Sequence, residues 1–257
     1  MTKNHDIRIF SDATDLFQFA ANDFYQRATS AINDKGEFSV VLAGGNTPKL
    51  FFDTLTDTQN KKNIPWQRIK FFFGDERYVP ADNERSNYHM AWKYLFSKVP
   101  VNIENIFRIP TELNNPKDAA HEYELTLRKA FNISENDLPQ FDLVYLGLGE
   151  DAHTASLMPL SDVVKRYMED KLADKNNQLV ASLFIAESNM YRITLTPTAI
   201  NNAKNIIFFV TGANKADAAW RVLKGPNDPL HNPAQLIHPV NTSWYLDQAA
   251  AEKLNLK

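Results

Sequence analysis

Cysteine is absent from all 257 residues, which excludes disulfides, thiolate nucleophiles and every cysteine-based zinc site. No apolar run approaches the ~18 residues of a membrane span. Met1-Thr2-Lys3-Asn4-His5-Asp6 is not followed by the apolar stretch of a secretory signal, so a cytoplasmic, reducing location is expected. Like charges never gather in blocks of five or six, and the net charge is -3. That balance argues against a nucleic-acid partner or an anionic-membrane surface. Three catalytic signatures are missing as well. No Gly-Lys-Ser/Thr ending makes a P-loop, no Gly-x-Ser-x-Gly makes a serine elbow, and His121-Glu122 meets Leu125 where a zincin needs its second histidine. No metal, cofactor or obligate protein partner is expected.

What remains is an ordinary globular composition, 44% hydrophobic and 23% charged, in a chain long enough for one large α/β domain or two small ones. Apolar runs read as strands at Ile7–Phe10, Phe38–Leu42, Ile69–Phe73, Phe141–Leu146, Val180–Ala186, Arg192–Thr196, Ile206–Val210 and from Trp244. Helical spacing separates them. Phe17, Ala20, Phe24, Ala28 and Ile32 mark one buried face, with Ser11 as its cap. Ala120, Tyr123, Leu127 and Ala130 mark another, and Ala216, Ala219, Trp220 and Leu223 a third. Gly44-Gly45 breaks the second strand, and Thr47 is expected to cap a helix opening at Pro48. Strands alternating with helices predict one α/β domain over residues 1–257, a mostly parallel sheet covered on both faces.

In such sheets ligands sit beyond the carboxyl ends of the strands, so four loops carry the candidate chemistry. Gly44-Gly45-Asn46-Thr47 offers backbone N–H groups and a hydroxyl to an anion, or serves only as a tight turn. Gly74-Asp75-Glu76-Arg77, with Ser86-Asn87 downstream, places a carboxylate at a strand tip beside a guanidinium suited to phosphate or carboxylate; the plainer reading pairs those charges with each other. Gly147-Leu148-Gly149-Glu150-Asp151-Ala152-His153 brings an acid and a histidine to the end of a strand. It also matches a dinucleotide fingerprint at Gly147, Gly149 and Ala152. The match comes late in the chain, and Pro159 stops any helix about one and a half turns after His153. Thr211-Gly212-Ala213-Asn214-Lys215 follows a buried strand and sets Lys215 at a helix start, while Arg192 opens another strand; either is a surface cation unless a partner loop meets it.

Taken in order, Ala43 to Pro48, Gly74 to Pro80 with Ser86-Asn87, Gly147 to Pro159, Arg192 to Thr196, Gly212 to Ala216 and the tail from Pro233 through Ala251 resemble the 6-phosphogluconolactonase family over nearly the whole chain. The resemblance implies a Rossmann-like three-layer α/β sandwich shared with sugar-phosphate isomerases and deaminases. It implies hydrolysis of 6-phosphogluconolactone to 6-phosphogluconate in the oxidative pentose phosphate pathway. By that likeness His153 is the general base and Asp75 orients water or substrate. Arg77, Arg192, Lys215 and the loop of Gly44, Gly45, Asn46 and Thr47 hold phosphate, with Asp151 among the substrate-binding residues.

An imidazole titrating near neutrality suits that role, because a δ-lactone is reactive enough to need no metal or covalent nucleophile. The family's usual Asp-Gly-His is Asp151-Ala152-His153 here. If that position needs positive φ, alanine costs about 1 kcal/mol or more. Two rivals are a glucosamine-6-phosphate deaminase or isomerase-like enzyme and a non-catalytic sugar-phosphate sensor. The first has an acid in an Asn-Glu-Pro ending where this chain has Leu157-Met158-Pro159; the second would have no need of His153 and Asp75.

Overall fold

The computed structural model describes residues 5–57, 63–173 and 178–254; Met1 to Asn4, part of the segment read for a signal, lie outside them. In chain order the elements are β1 (Asp6–Phe10), α1 (Ala13–Lys35), β2 (Phe38–Leu42), α2 (Asn46–Leu55), β3 (Ile69–Phe73), β4 (Asp75–Arg77), α3 (Asn87–Tyr94), β5 (Ile106–Phe107) and α4 (Pro116–Phe131). Then follow β6 (Leu143–Gly147), α5 (Asp162–Ala173), β7 (Val180–Ile185), β8 (Met190–Leu195), α6 (Pro197–Asn201), β9 (Ile206–Val210), α7 (Ala216–Leu223), β10 (Thr242–Asp247) and α8 (Gln248–Ala251).

Seven strands form one parallel sheet in the order β1-β10-β9-β6-β2-β3-β5, with helices on both sides. β2 and β9 are buried at every residue, which is why they read as continuous apolar runs rather than alternating ones. From β2 the chain winds outward through β3 to β5. It then returns to β6 on the other side of β2 and winds the opposite way through β9 and β10. The order therefore reverses between β2 and β6, and their carboxyl ends flank the crevice.

A second, three-stranded antiparallel sheet, β4-β8-β7, was not expected from the sequence. At Gly74 the chain leaves β3. Gly74 N–H still donates to Leu42 O (3.0 Å), while Gly74 O accepts from Leu195 N–H (2.8 Å), so Asp75, Glu76 and Arg77 pass into the smaller sheet. Asp-Glu-Arg has no apolar signal to announce a strand; the pairing comes from β8.

Two caps differ from expectation. α1 is capped by Asp12, whose Oδ1 accepts from the N–H groups of Thr14 (2.7 Å) and Asp15 (3.0 Å), and Ser11 donates to Asp15 instead. α2 begins at Asn46 behind Gly45, with no side-chain cap, so Pro48 stands third rather than first in the helix. The glycine turn feeds the chain into the helix two residues early, and proline is tolerated there because first-turn N–H groups have no intrahelical partner. Thr47 Oγ1 meets Thr211 Oγ1 across the crevice at 3.3 Å rather than capping.

At the opposite, amino edge of the sheet, Asp142 ties three elements together. Its carboxylate accepts from Ser39 N–H and Oγ (both 2.9 Å), from Lys35 Nζ (2.7 Å) and from Lys204 Nζ (3.1 Å). Burial works against its charge, but the lysines and Ser39 outweigh burial and hold the carboxyl below the usual aspartate range.

Candidate active site

The crevice at the strand-order reversal opens into a cavity of about 600 Å³. Its wall contains Gly44, Gly45, Asn46 and Thr47 after β2, Asp75 and Arg77 after β3, His153 after β6, Arg192 on β8 and Lys215 after β9. The topology thus brings together residues from five separate stretches of sequence. Asp151 is the one predicted site residue outside the wall; it stands behind His153.

His153 rides on a segment that is loop throughout, from Leu148 to Ser161. No helix follows Gly149, so the dinucleotide reading loses the helix N-terminus it requires. Asp151 Oδ1 lies 2.5 Å from His153 Nδ1 and also accepts the His153 backbone N–H at 3.1 Å. A carboxylate only accepts, so Nδ1 carries the proton and the neutral ring keeps its lone pair on Nε2. Partial burial disfavours the Asp151 charge, but the hydrogen bonds from the His153 ring and backbone prevail and hold that carboxyl below the usual range. The ring packs so tightly on the preceding turn that a Cβ at Gly149 would lie 2.1 Å from Nδ1; any side chain there would displace the histidine. Ala152, buried completely, adopts φ 67°, the left-handed region that favours glycine. Its N–H donates to Gly149 O (3.0 Å) and its carbonyl accepts from Ala234 N–H (3.1 Å).

Asp75 is 7% exposed and both its oxygens are engaged. Asn87 Nδ2 donates to Oδ1 (3.1 Å) and to the Asp75 carbonyl (2.9 Å), Ser156 Oγ donates to Oδ2 (2.5 Å), and Arg192 Nη1 stands 4.0 Å away. Asn87 in turn packs against Gly44, where a Cβ would lie 2.0 Å from its Oδ1. Next in the strand, buried Glu76 accepts from Arg77 N–H, Ser86 Oγ, Asn87 N–H and Tyr88 N–H, fastening β4 to the start of α3. Burial pushes the Glu76 carboxyl up, against the pull of those donors.

Arg77 and Arg192 are direct cross-strand partners in the β4–β8 pair. Like charges placed opposite each other destabilise a sheet. Burial, opposed by Asp75 and reinforced by Arg77, draws the Arg192 guanidinium below the usual arginine range. The Nε atoms of both arginines are buried without a hydrogen-bond partner. Two guanidiniums held side by side on the cavity wall have the chemistry to pair with an anion.

On the far wall, Gly212 N–H donates to both oxygens of Asp247 (3.1 and 2.9 Å), and Asp247 also caps α8 through Ala250 N–H (2.7 Å). The closing strand β10 thereby fixes the loop that carries Lys215. Glu150 Oε1 accepts from Asn214 Nδ2 (2.7 Å) and joins this loop to the histidine loop. Sequence reasoning did not single out Ser156, Thr211, Glu150, Asn214 or Asp247 as site residues. Thr211, Glu150 and Asn214 lie inside the quoted loops, and position after a strand was the only signal available for them. Nothing in the sequence marks the tie between Ser156 and Asp75.

Comparisons with known proteins agree with this architecture. A family profile described as glucosamine-6-phosphate isomerases/6-phosphogluconolactonase matches residues 11–246. A 6-phosphogluconolactonase from a Nostoc species is 35% identical over 251 residues, covering 97% of this chain and 98% of the relative. Among solved structures, 6-phosphogluconolactonase from Trypanosoma brucei superposes with a TM-score of 0.80 at 28% identity, covering 98% of this chain and 99% of that one. A monomeric glucosamine-6-phosphate deaminase shares the fold at a TM-score of 0.79 and 18% identity, with 96% and 99% of the two chains covered.

Proposed function

The chain belongs to the family of glucosamine-6-phosphate isomerases and 6-phosphogluconolactonases, and from that premise we propose that it hydrolyses 6-phospho-D-glucono-1,5-lactone to 6-phospho-D-gluconate. The observation that carries the reading is the Asp151–His153 pair at the strand-order reversal, its imidazole on the same cavity wall as the guanidiniums of Arg77 and Arg192. Oriented by Asp151, His153 Nε2 takes a proton from water as the water oxygen bonds to the lactone carbonyl carbon. When the tetrahedral intermediate collapses, the bond from that carbon to the ring oxygen breaks. The imidazolium returns its proton to the departing oxygen, and the product leaves as an acid and a free hydroxyl.

Asp75 accepts from Asn87 and Ser156 and stands beside Arg192, so its part is to orient rather than to take the proton. Phosphate binds to Arg77, Arg192 and Lys215 with the uncapped start of α2, Gly44 to Thr47. Asp151 serves the ring of His153 rather than the substrate, as expected of a carboxylate kept out of a cavity rich in cations. The deaminase reading is weaker: Met158 lines the cavity where that chemistry places an acid. The substrate is a small molecule and the reaction belongs to the cytoplasm. No helix among the described residues is long and apolar enough to cross a membrane.

The test is hydrolysis of 6-phosphogluconolactone at controlled pH, beside unphosphorylated gluconolactone and glucosamine 6-phosphate. Turnover well above the spontaneous rate for the phosphorylated lactone alone is the expected result. No excess over the spontaneous rate would sink the reading, and equal use of gluconolactone would remove the phosphate site.

A further inference from the structure

The histidine loop holds three non-glycine residues in the left-handed region, Ala152 (φ 67°), Ala155 (φ 48°) and Leu160 (φ 59°). Such backbone persists only where its surroundings over-determine it. Most of its ties are internal or structural. Thr154 Oγ1 donates to Gly147 O (2.9 Å), Leu157 N–H to Thr154 O (2.9 Å), Ala234 N–H to Ala152 O (3.1 Å) and Leu160 N–H to Leu230 O (2.9 Å). Ser156 differs. Its Oγ donates to Asp75 Oδ2 and its backbone N–H to Thr194 Oγ1 (3.2 Å). Asp75 and Thr194 are themselves a cross-strand pair of β4 and β8. One residue, next to a left-handed alanine and three from His153, therefore grips both strands that carry Asp75, Arg77 and Arg192.

We propose that Ser156 is a positioning residue that sets the histidine loop in register with the Asp75–Arg192 side of the cavity. It is fully buried and takes no part in the cavity wall, so it touches no substrate and is no nucleophile. With Asn87 on Oδ1 and Ser156 on Oδ2, the carboxylate of Asp75 cannot rotate, and its second oxygen faces Arg192 at a fixed distance. Removing the hydroxyl frees one end of that carboxylate and loosens the span between base and substrate at the same time.

This inference rests on the lactonase reading, and a double-mutant cycle separates the two. Ser156→Ala, Asp75→Ala and the double variant are compared with the full-length protein in lactone hydrolysis, with melting curves alongside. Ser156→Ala is expected to lower kcat about 10- to 100-fold, the scale of a small misplacement, with KM changed less than about threefold. In the Asp75→Ala background the same change is expected to cost less than about threefold, because its partner is already gone. If Ser156→Ala does not fold, the cycle is read on Ser156→Cys, close in volume and a weaker donor. Wild-type turnover with an unaltered Ser156 variant overturns the inference alone, as does an equal loss in both backgrounds. A wild type that hydrolyses no lactone overturns the lactonase reading, and this inference with it.

Discussion

At the amino ends of the central strands, the buried carboxylate of Asp142 accepts four hydrogen bonds, two from Ser39 and one from each of two lysines. At the carboxyl ends, Arg77 and Arg192 face each other across a strand pair with their Nε donors unpartnered, and an alanine is held in left-handed backbone. The first cluster is built on the parallel sheet, whereas the second stands on the antiparallel β4–β8 pair and on the loop after β6. In the first, the carboxylate is satisfied from within the fold. The second leaves two buried guanidinium nitrogens unpartnered and a non-glycine residue in left-handed backbone, both of which cost stability. On the proposed reading, charge at the amino edge serves folding and charge at the carboxyl edge serves a ligand.

Exchanging damage between the two edges tests that division, and the largest effect is expected at the base. His153→Ala should reduce kcat for lactone hydrolysis about 10²- to 10⁴-fold, the usual worth of a positioned general base. The ring is a third exposed and its one side-chain bond is to Asp151, so the melting temperature should shift by no more than roughly 3 °C. An unchanged kcat would remove His153 from the mechanism. A large drop in melting temperature would show that the carboxyl edge also carries folding charge, against the comparison.

Asp142→Ala should do the reverse. Breaking this cluster is expected to cost about 2–3 kcal/mol, below the full penalty for a buried pair because Lys35 and Lys204 can turn to water. kcat per folded molecule should stay within about twofold, measured well below the new melting temperature. The pH dependence has a definite sign. Asp142 titrates lower in the folded protein than in the unfolded chain. Its stabilisation is complete above the unfolded value of about 3.9 and is lost as pH falls through the depressed folded value. Acid unfolding below about pH 4 should therefore be steeper in the wild type than in Asp142→Asn, whose side chain does not titrate. Parallel acid limbs would mean that Asp142 does not govern them.

The two edges were unequally legible in sequence. Strands such as Ile206–Val210 announce themselves because burial on both faces demands an unbroken apolar run, and their alternation with helices gives the parallel sheet. The site loops follow from position, since they come directly after those strands. What escaped depends on partners distant in sequence. β4 is Asp-Glu-Arg and becomes a strand only because β8 pairs with it. α5 was missed because Asp162–Ala173 mixes charge into its apolar spacing. The bond from Ser156 to Asp75 spans 81 residues of sequence, and the Asp142 cluster gathers residues from three strand approaches; neither leaves a local pattern. Asp151 reads from the sequence as the acid beside His153 and as a substrate-binding residue; the fold puts it on the Nδ1 side of the histidine and outside the cavity wall.

The smallest effect is expected at Ala152, the left-handed alanine beside His153. At φ 67° an alanine costs about 1–2 kcal/mol, so Ala152→Gly relieves strain. The same methyl is fully buried in the core, and deleting it forfeits about 0.8 kcal/mol of burial. Glycine also enlarges the freedom of the unfolded chain by about 0.4–1 kcal/mol. The terms nearly cancel, and stability should change by less than about 1 kcal/mol. Turnover should hold within about twofold, because the bonds that aim the ring, Asp151 to Nδ1 and Gly149 N–H to the His153 carbonyl, do not involve the Ala152 side chain. A rise of tenfold or more in kcat for Ala152→Gly would show instead that alanine holds the base out of line, and that the strain at this edge hinders catalysis in this chain.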